Sequence, residues 1–304
     1  MKMLFLINPV AGKTTLGVGF VEIIDQFVKA GYEVEVRTTQ SRTDIAETVA
    51  AKGENYDVIA CIGGDGTLNN TASAIVKLEN KPILGYIPAG TTNDFAHSHA
   101  IPCKAIDAAK TIASGSHSPL DIGLFNSQAF IYVAAFGIFS EVSYSTSQEL
   151  KNVFGRLAYL VEGAKSLAEV TSYAMRFESG DQVIEGDFIY GMVSNSSSVG
   201  GFNLPINKDS AFNDGLMEVT LVRKPVTLAE HQQLLSALIA QKADDKLVYH
   251  FQTGEIKIVS AVPMEWALDG EGSGMSDRFD IKVIKDAIEI FSGDAKAPAE
   301  ANTD

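Results

Sequence analysis

Residues Cys61–Asn70 read CIGGDGTLNN, between the apolar run DVIACI and the helical pattern TASAIVKL. Glycine and aspartate commonly make strand-to-helix turns. Here, however, two more glycine-bearing turns follow strand-like runs: NPVAGKTT after MLFLI, and PAGTTNDFA (Pro88–Ala96) after ILGYI. Open α/β sheets bind ligands at the carboxyl ends of their strands, where all three turns fall. Glycines let backbone N–H groups approach phosphate oxygens, and a following helix N-terminus adds positive partial charge. Asp65 and Asp94 are poor direct partners for an anion. They suit a hard divalent cation, held through water against phosphates. The turns therefore predict a polyphosphate and a magnesium ion.

Two familiar phosphate motifs do not fit. Gly12-Lys13-Thr14 resembles the end of a P-loop, but that loop requires a glycine where Ile7 stands. A dinucleotide fingerprint starting from Gly17 and Gly19 meets Glu22 at its third glycine.

Two rhythms divide the chain. Up to about Pro119, short apolar runs alternate with helical patterns near 18–30, 43–52 and 68–79, which argues for βαβ units on a parallel, Rossmann-like sheet. From Leu120 on, strand patterns dominate, with helices expected near 150–168 and 227–240, pointing to an antiparallel β-sandwich. The expected domains are an α/β nucleotide-binding domain over 1–121, completed by a returning segment near 285–293, and a β-rich substrate domain over 122–284. The nucleotide cleft is expected between them. The tail 294–304 is small and polar and reads as disordered.

Composition excludes several classes. The 304 residues carry 24 basic and 38 acidic side chains, a formal charge of −14, which disfavours nucleic acid and anionic bilayers as bulk partners. The opening MKMLFLINPV and the run AFIYVAAFGIF (129–139) are too short to span a membrane, and the second reads as one buried strand. Two cysteines make neither a disulfide framework nor a metal quartet. A cytoplasmic protein is expected.

NPVAGK, GGDGT, PAGTTNDFA and the distal LDGEG (Leu268–Gly272) together resemble the diacylglycerol kinase catalytic-domain family, in particular its soluble bacterial lipid kinases, over nearly the whole chain. GGDGT alone is shared with NAD kinases; GTxNDFA with a distal DGE is more specific. The resemblance implies ATP and Mg²⁺ as cofactors and a lipid substrate met transiently at the membrane surface, most simply diacylglycerol giving phosphatidic acid, with a homodimer left open. It implies nucleotide contacts from Asn8, Pro9, Val10, Ala11, Gly12 and Lys13, from Thr39, from Gly63, Gly64, Asp65, Gly66, Thr67, Leu68, Asn69 and Asn70, and from Gly90, Thr91, Asn93 and Asp94. Asp65, Asp94 and Asp121 would form a magnesium–water network. Asp214, with the carbonyls of Ala211 and Leu216, would hold a second, structural Mg²⁺. Glu271 would be the general base, with Asp269 beside it. Asn70 departs from the family pattern, which has glutamate there. An NAD kinase-like phosphotransferase and a non-catalytic nucleotide-binding protein are the alternatives.

Some of these residues have plainer readings. Asp269-Gly270 is a common hairpin turn. His97 and His99 read as a solvated helix end rather than a zinc site. The helix near 150–168 reads as core-packing, its cations able to touch headgroups.

Overall fold

Five successive apolar residues, Met3–Ile7, can be buried on both faces only inside a covered sheet. Strand β1 (Lys2–Ile7) lies there, parallel to β2 (Glu33–Thr38) on one side and β3 (Val58–Gly63) on the other. The structure, a computed structural model, describes residues 1–9, 19–41, 43–90, 93–137, 171–195, 198–199, 202–203, 213–240 and 246–292. The expected helix near 150–168 and the tail beyond 293 lie outside them.

The chain forms two compact units: Met1–Leu120 with the chain from Ile288 on, and Asp121–Ala287. In the first, β4 (Ile83–Pro88) extends the parallel sheet beyond β3. The end of the last strand, β17 (Ser276–Phe291), joins β4 in parallel at Ile290 and Leu84. Helices α1 (Phe20–Lys29), α2 (Asp44–Lys52), α3 (Asp65–Ile75), α4 (Asp94–Ser98) and α5 (Ala105–Ser114) connect and cover these strands, α1 packing on α5 and α2 on α3. Every residue of β3 is buried, whereas β2, at the sheet edge, alternates charge and valine and is mostly exposed.

The second unit is antiparallel. Its strands are the later part of β5 (His117–Phe125), β6 (Gln128–Phe130), β7 (Val133–Gly137), β8 (Tyr173–Ser179), β9 (Gln182–Ser194), the short β10 (Ser198–Val199) and β11 (Phe202–Asn203), β12 (Met217–Arg223), β13 (Val248–Thr253), β14 (Glu255–Met264), β15 (Ala267–Leu268), β16 (Glu271–Gly272) and most of β17; helix α6 (Leu228–Ala240) follows β12. The first half of β9 pairs with β8, and its second half lies between β7 and β12. The strands enclose one aromatic core, where Trp266 meets Phe136, Phe125 and Phe279 at ring-centroid distances of 4.7, 5.4 and 5.6 Å. No helix among the described residues is long and apolar enough to cross a membrane.

Three sequence expectations change. The run 129–139 is not one strand: β6 ends at Phe130 and β7 begins at Val133, because the N–H groups of Ile131, Tyr132 and Val133 are all taken by Asp269. The returning segment near 285–293 is not a separate element but the end of the single strand β17, which begins at Ser276 and is kinked at Asp286, whose φ is +49°. Helices α4 and α5 and strand β5 are additional elements whose weaker patterns the periodicity does not announce.

Candidate active site

The end of β3 explains its glycines by packing first. A Cβ on Gly63 would lie 2.4 Å from Thr67 Oγ1, and one on Gly90 would lie 2.7 Å from Gly64 Cα. Two backbone turns, GGDGT and PAG, are thus in contact with no side chain between them. Tyr86, buried in β4, donates its hydroxyl to the Gly63 carbonyl at 3.3 Å. Asn93 adopts the left-handed conformation that asparagine tolerates, at φ +53°. Its side chain closes the second turn from both ends: Oδ1 accepts the Gly90 N–H at 2.9 Å and Nδ2 donates to the Gly90 carbonyl at 3.1 Å. Asn8, at the end of β1, donates through Nδ2 to Thr67 Oγ1 at 3.0 Å and through its backbone to the Ile62 carbonyl.

Gly64 precedes α3 and has no side chain with which to cap it. The first N–H groups of a helix have no acceptor inside it, so this end presents donors and positive partial charge. Gly66 is exposed, and a Cβ there would meet nothing within 4 Å. This bare, donor-lined turn fits a phosphate, with the half-buried carboxylate of Asp65 on the first turn of the same helix. Leu68 is fully buried, with its N–H bonded to the Gly64 carbonyl, so it anchors the turn from the core side. Asn69 is buried and accepts a bond from Ser73. Thr39 is buried at the end of β2 and donates its N–H to the Ile7 carbonyl. Pro9 is exposed and Asn70 half-buried. Val10, Ala11, Gly12, Lys13, Thr91 and Ala211 lie outside the described residues, as does the side chain of Asp94, whose backbone opens α4.

His99 is not solvated. It is buried against Phe95, with rings 3.8 Å apart, and its Nδ1–H donates to the Phe95 carbonyl. Burial pulls its pKa down to about 4, so the ring is neutral. Cys61, two residues before Gly63, is buried and its thiol is pushed up to about 12, which leaves it unreactive.

In the second unit, Asp121 is buried and its two carboxylate oxygens accept the N–H groups of Asp286 and Gly215, each at 2.7 Å. Burial pushes its carboxyl above the usual range, and the two N–H bonds oppose that. Asp214 is exposed, and its own carboxylate accepts the Leu216 N–H at 2.8 Å. Asp121 and the Asp214 turn are thus neighbours, so of the expected metal residues it is the network aspartate and the structural-site aspartate that come together here. Among the described residues, no three His, Cys, Asp or Glu side chains converge on one point where an ion could sit.

Glu271 opens β16 and is exposed. The preceding turn is Asp269-Gly270, with φ +47° and +88°, and Leu268 pairs with Glu271 across it. Positive φ at both central residues is the hairpin geometry that Asp-Gly favours. Asp269 also accepts three N–H groups, from Ile131 at 2.7 Å, Tyr132 at 3.0 Å and Val133 at 2.7 Å, and returns its own N–H to the Val133 carbonyl. That clamp fixes the hairpin carrying Glu271 onto β7. Tyr86 and this clamp were missed in the sequence. The only trace of the first is a tyrosine in an otherwise aliphatic strand, and nothing local marks the second, whose partners are more than 130 residues apart.

The model of the diacylglycerol kinase catalytic domain matches residues 2–125. The chain is 33% identical over 273 residues to a diacylglycerol kinase of Bacillus subtilis (strain 168), covering 88% of this chain and 89% of that one. It is 32% identical over 288 residues to one of Staphylococcus saprophyticus, covering 94% and 93%. The crystal structure of a diacylglycerol kinase from Bacillus anthracis str. Sterne superposes with a TM-score of 0.75 at 20% identity over 97% of this chain and 98% of that one. An NAD kinase from Archaeoglobus fulgidus in complex with ATP shares the fold at a TM-score of 0.52 and 11% identity, over 97% and 94%.

Proposed function

The chain belongs to the diacylglycerol kinase family, and from that premise we propose that it transfers the γ-phosphate of ATP to the free hydroxyl of diacylglycerol, giving phosphatidic acid and ADP. The observation that carries the reading is the contact of the GGDGT and PAG turns at the head of α3, which leaves Gly66 open beside Asp65. Such a turn binds phosphates through N–H groups, and its carboxylate requires a cation to be tolerated there.

The residues divide the work. The turns at Gly64–Thr67 and Gly90 hold and orient the phosphate chain with Asn8 at the end of β1, and Lys13 would add its charge. Asp65 and Asp94 would hold Mg²⁺ through water. When bound, the ion neutralises charge on the phosphates and orients the γ-phosphoryl group. Glu271 accepts the proton of the lipid hydroxyl as the new O–P bond forms and the bond to the β-phosphate oxygen breaks. Because the transferred group is largely metaphosphate-like, the proton moves late and a weak base suffices. Asp269 touches none of the reacting atoms; it positions Glu271 through the clamp on β7. Asp214 would hold a second, structural ion.

Fold likeness to an NAD kinase supports a second reading, in which the acceptor is NAD. The two are separated by offering labelled ATP, Mg²⁺, diacylglycerol and NAD together. Asp65→Asn tests the nucleotide assignment: the variant should fold normally but lose magnesium-dependent ATP binding and transfer. Wild-type turnover in it would remove Asp65 from the mechanism.

A further inference from the structure

The pairing of β14 with β17 breaks at one place. The register runs through Val259 and Arg278, then resumes at Met264 and Ser276, so Ser260–Pro263 stand opposite the single residue Asp277. Such a bulge pushes its extra residues out of the ladder. Ser260 stays buried, whereas Ala261, Val262 and Pro263 are exposed, Val262 by 50%. Met275, just before the point where pairing resumes, is 68% exposed.

This apolar lip belongs to the structure that carries Glu271. Met275 is four residues beyond it, and the intervening turn is tied down. Ser273 donates its N–H to the Trp266 carbonyl at 2.8 Å, the Trp266 N–H donates to Ser273 Oγ at 2.9 Å, and the Gly274 N–H donates to Glu265 Oε1 at 3.1 Å. Exposed apolar groups held on a fixed backbone gain by being covered with apolar matter. The charges nearby limit what can cover them. From residue 260 to 279 the exposed charges are Glu265, Glu271 and Asp277 against one cation, Arg278, and Arg176, opposite Val259 on β8, is paired with Glu178 and Glu185. An acidic rim repels a headgroup bearing phosphate and tolerates an uncharged alcohol.

We propose that the lip of Ala261–Pro263 and Met275, at the base of the hairpin that carries Glu271, receives the acyl chains of the lipid acceptor, and that its acidic rim excludes acceptors with a headgroup phosphate. The proposal rests on the lipid-kinase reading above. It is tested with Val262→Ser/Met275→Ser, and with Met275→Ser alone in case the double variant folds poorly. KM is measured for diacylglycerols of decreasing chain length in mixed micelles, alongside KM for ATP. The long-chain KM should rise at least fivefold at unchanged KM for ATP, and the rise should shrink as the chains shorten. In a second arm, phosphatidylglycerol is offered to wild type and to Asp277→Lys; wild type should reject it and the variant should phosphorylate it at least fivefold faster. A long-chain KM that does not change overturns the lip, and a wild type that uses phosphatidylglycerol as readily as diacylglycerol overturns the rim. Both results leave the kinase reading standing, whereas a wild type that phosphorylates no lipid ends that reading and the lip with it.

Discussion

Glu271 and Asp269 stand two residues apart in one motif yet have different surroundings, and the proposed mechanism gives them different work. Glu271 is exposed at the start of β16, while Asp269 gives its carboxylate to three N–H groups at the start of β7. Removing the proposed base should act on the transfer step alone, so Glu271→Gln should bind ATP normally and lose roughly 10²–10⁴-fold in kcat, read by calorimetry beside single-turnover transfer. Asp269→Asn would turn an amide donor toward N–H donors. It should therefore lower stability by about 1–3 kcal/mol and reduce kcat less than Glu271→Gln does, which thermal unfolding and steady-state kinetics together would show. His99 sets a pH dependence. Its folded pKa of about 4 lies below the ordinary value near 6.5, so the stability from its neutral form is full above pH 6.5 and is lost as pH falls toward 4. The loss reaches up to about 3 kcal/mol, and His99→Gln should flatten the fall in Tm between pH 7 and pH 5. The sequence named Glu271 as the base and Asp269 as a turn residue but not the three-amide clamp, because the partners of Asp269 lie on a distant strand. His99 reads as solvated for a similar reason: the Phe95 ring that buries it is visible in the sequence, but its stacking is not.

At the level of elements, the glycines at the head of α3 have two separable jobs. Gly63, Gly64 and Gly90 are required by packing, whereas Gly66 faces open space. Gly90→Ala should force the two turns apart, costing about 1–3 kcal/mol of stability and weakening ATP binding with it. Gly66→Ala should leave the melting temperature unchanged or slightly raised, since alanine is the better helix residue, while raising KM for ATP at least tenfold. Equal effects on both measurements at Gly66 would mean that this glycine serves packing too. The four parallel strands and helices α1, α2 and α3 were legible because apolar runs alternate with helical periods. The split of 129–139 was not, since it depends on one carboxylate capturing three amides. Nor was the continuity of β17, where Asp286 at positive φ looks locally like a break.

For the whole molecule, an acidic chain with a formal charge of −14 has to handle a nucleotide polyanion and, on the present account, a lipid. The proposed site meets the first with backbone donors and helix partial charge rather than a basic patch, which is why glycine turns, not lysine runs, were the informative part of the sequence. The two-unit organisation follows from the switch in rhythm near Pro119, and β5 and β17 carry the chain between the units at Leu120–Asp121 and Ala287–Ile288. What the composition could not carry was the acceptor, since apolar surface for acyl chains can be built from many sequences. The most direct test is to incubate the purified protein with γ-labelled ATP, Mg²⁺, diacylglycerol micelles and NAD in one vessel and separate the products. The account predicts label in phosphatidic acid, abolished by chelating the metal and by Glu271→Gln; label in NAD phosphate, or in no acceptor at all, would contradict it.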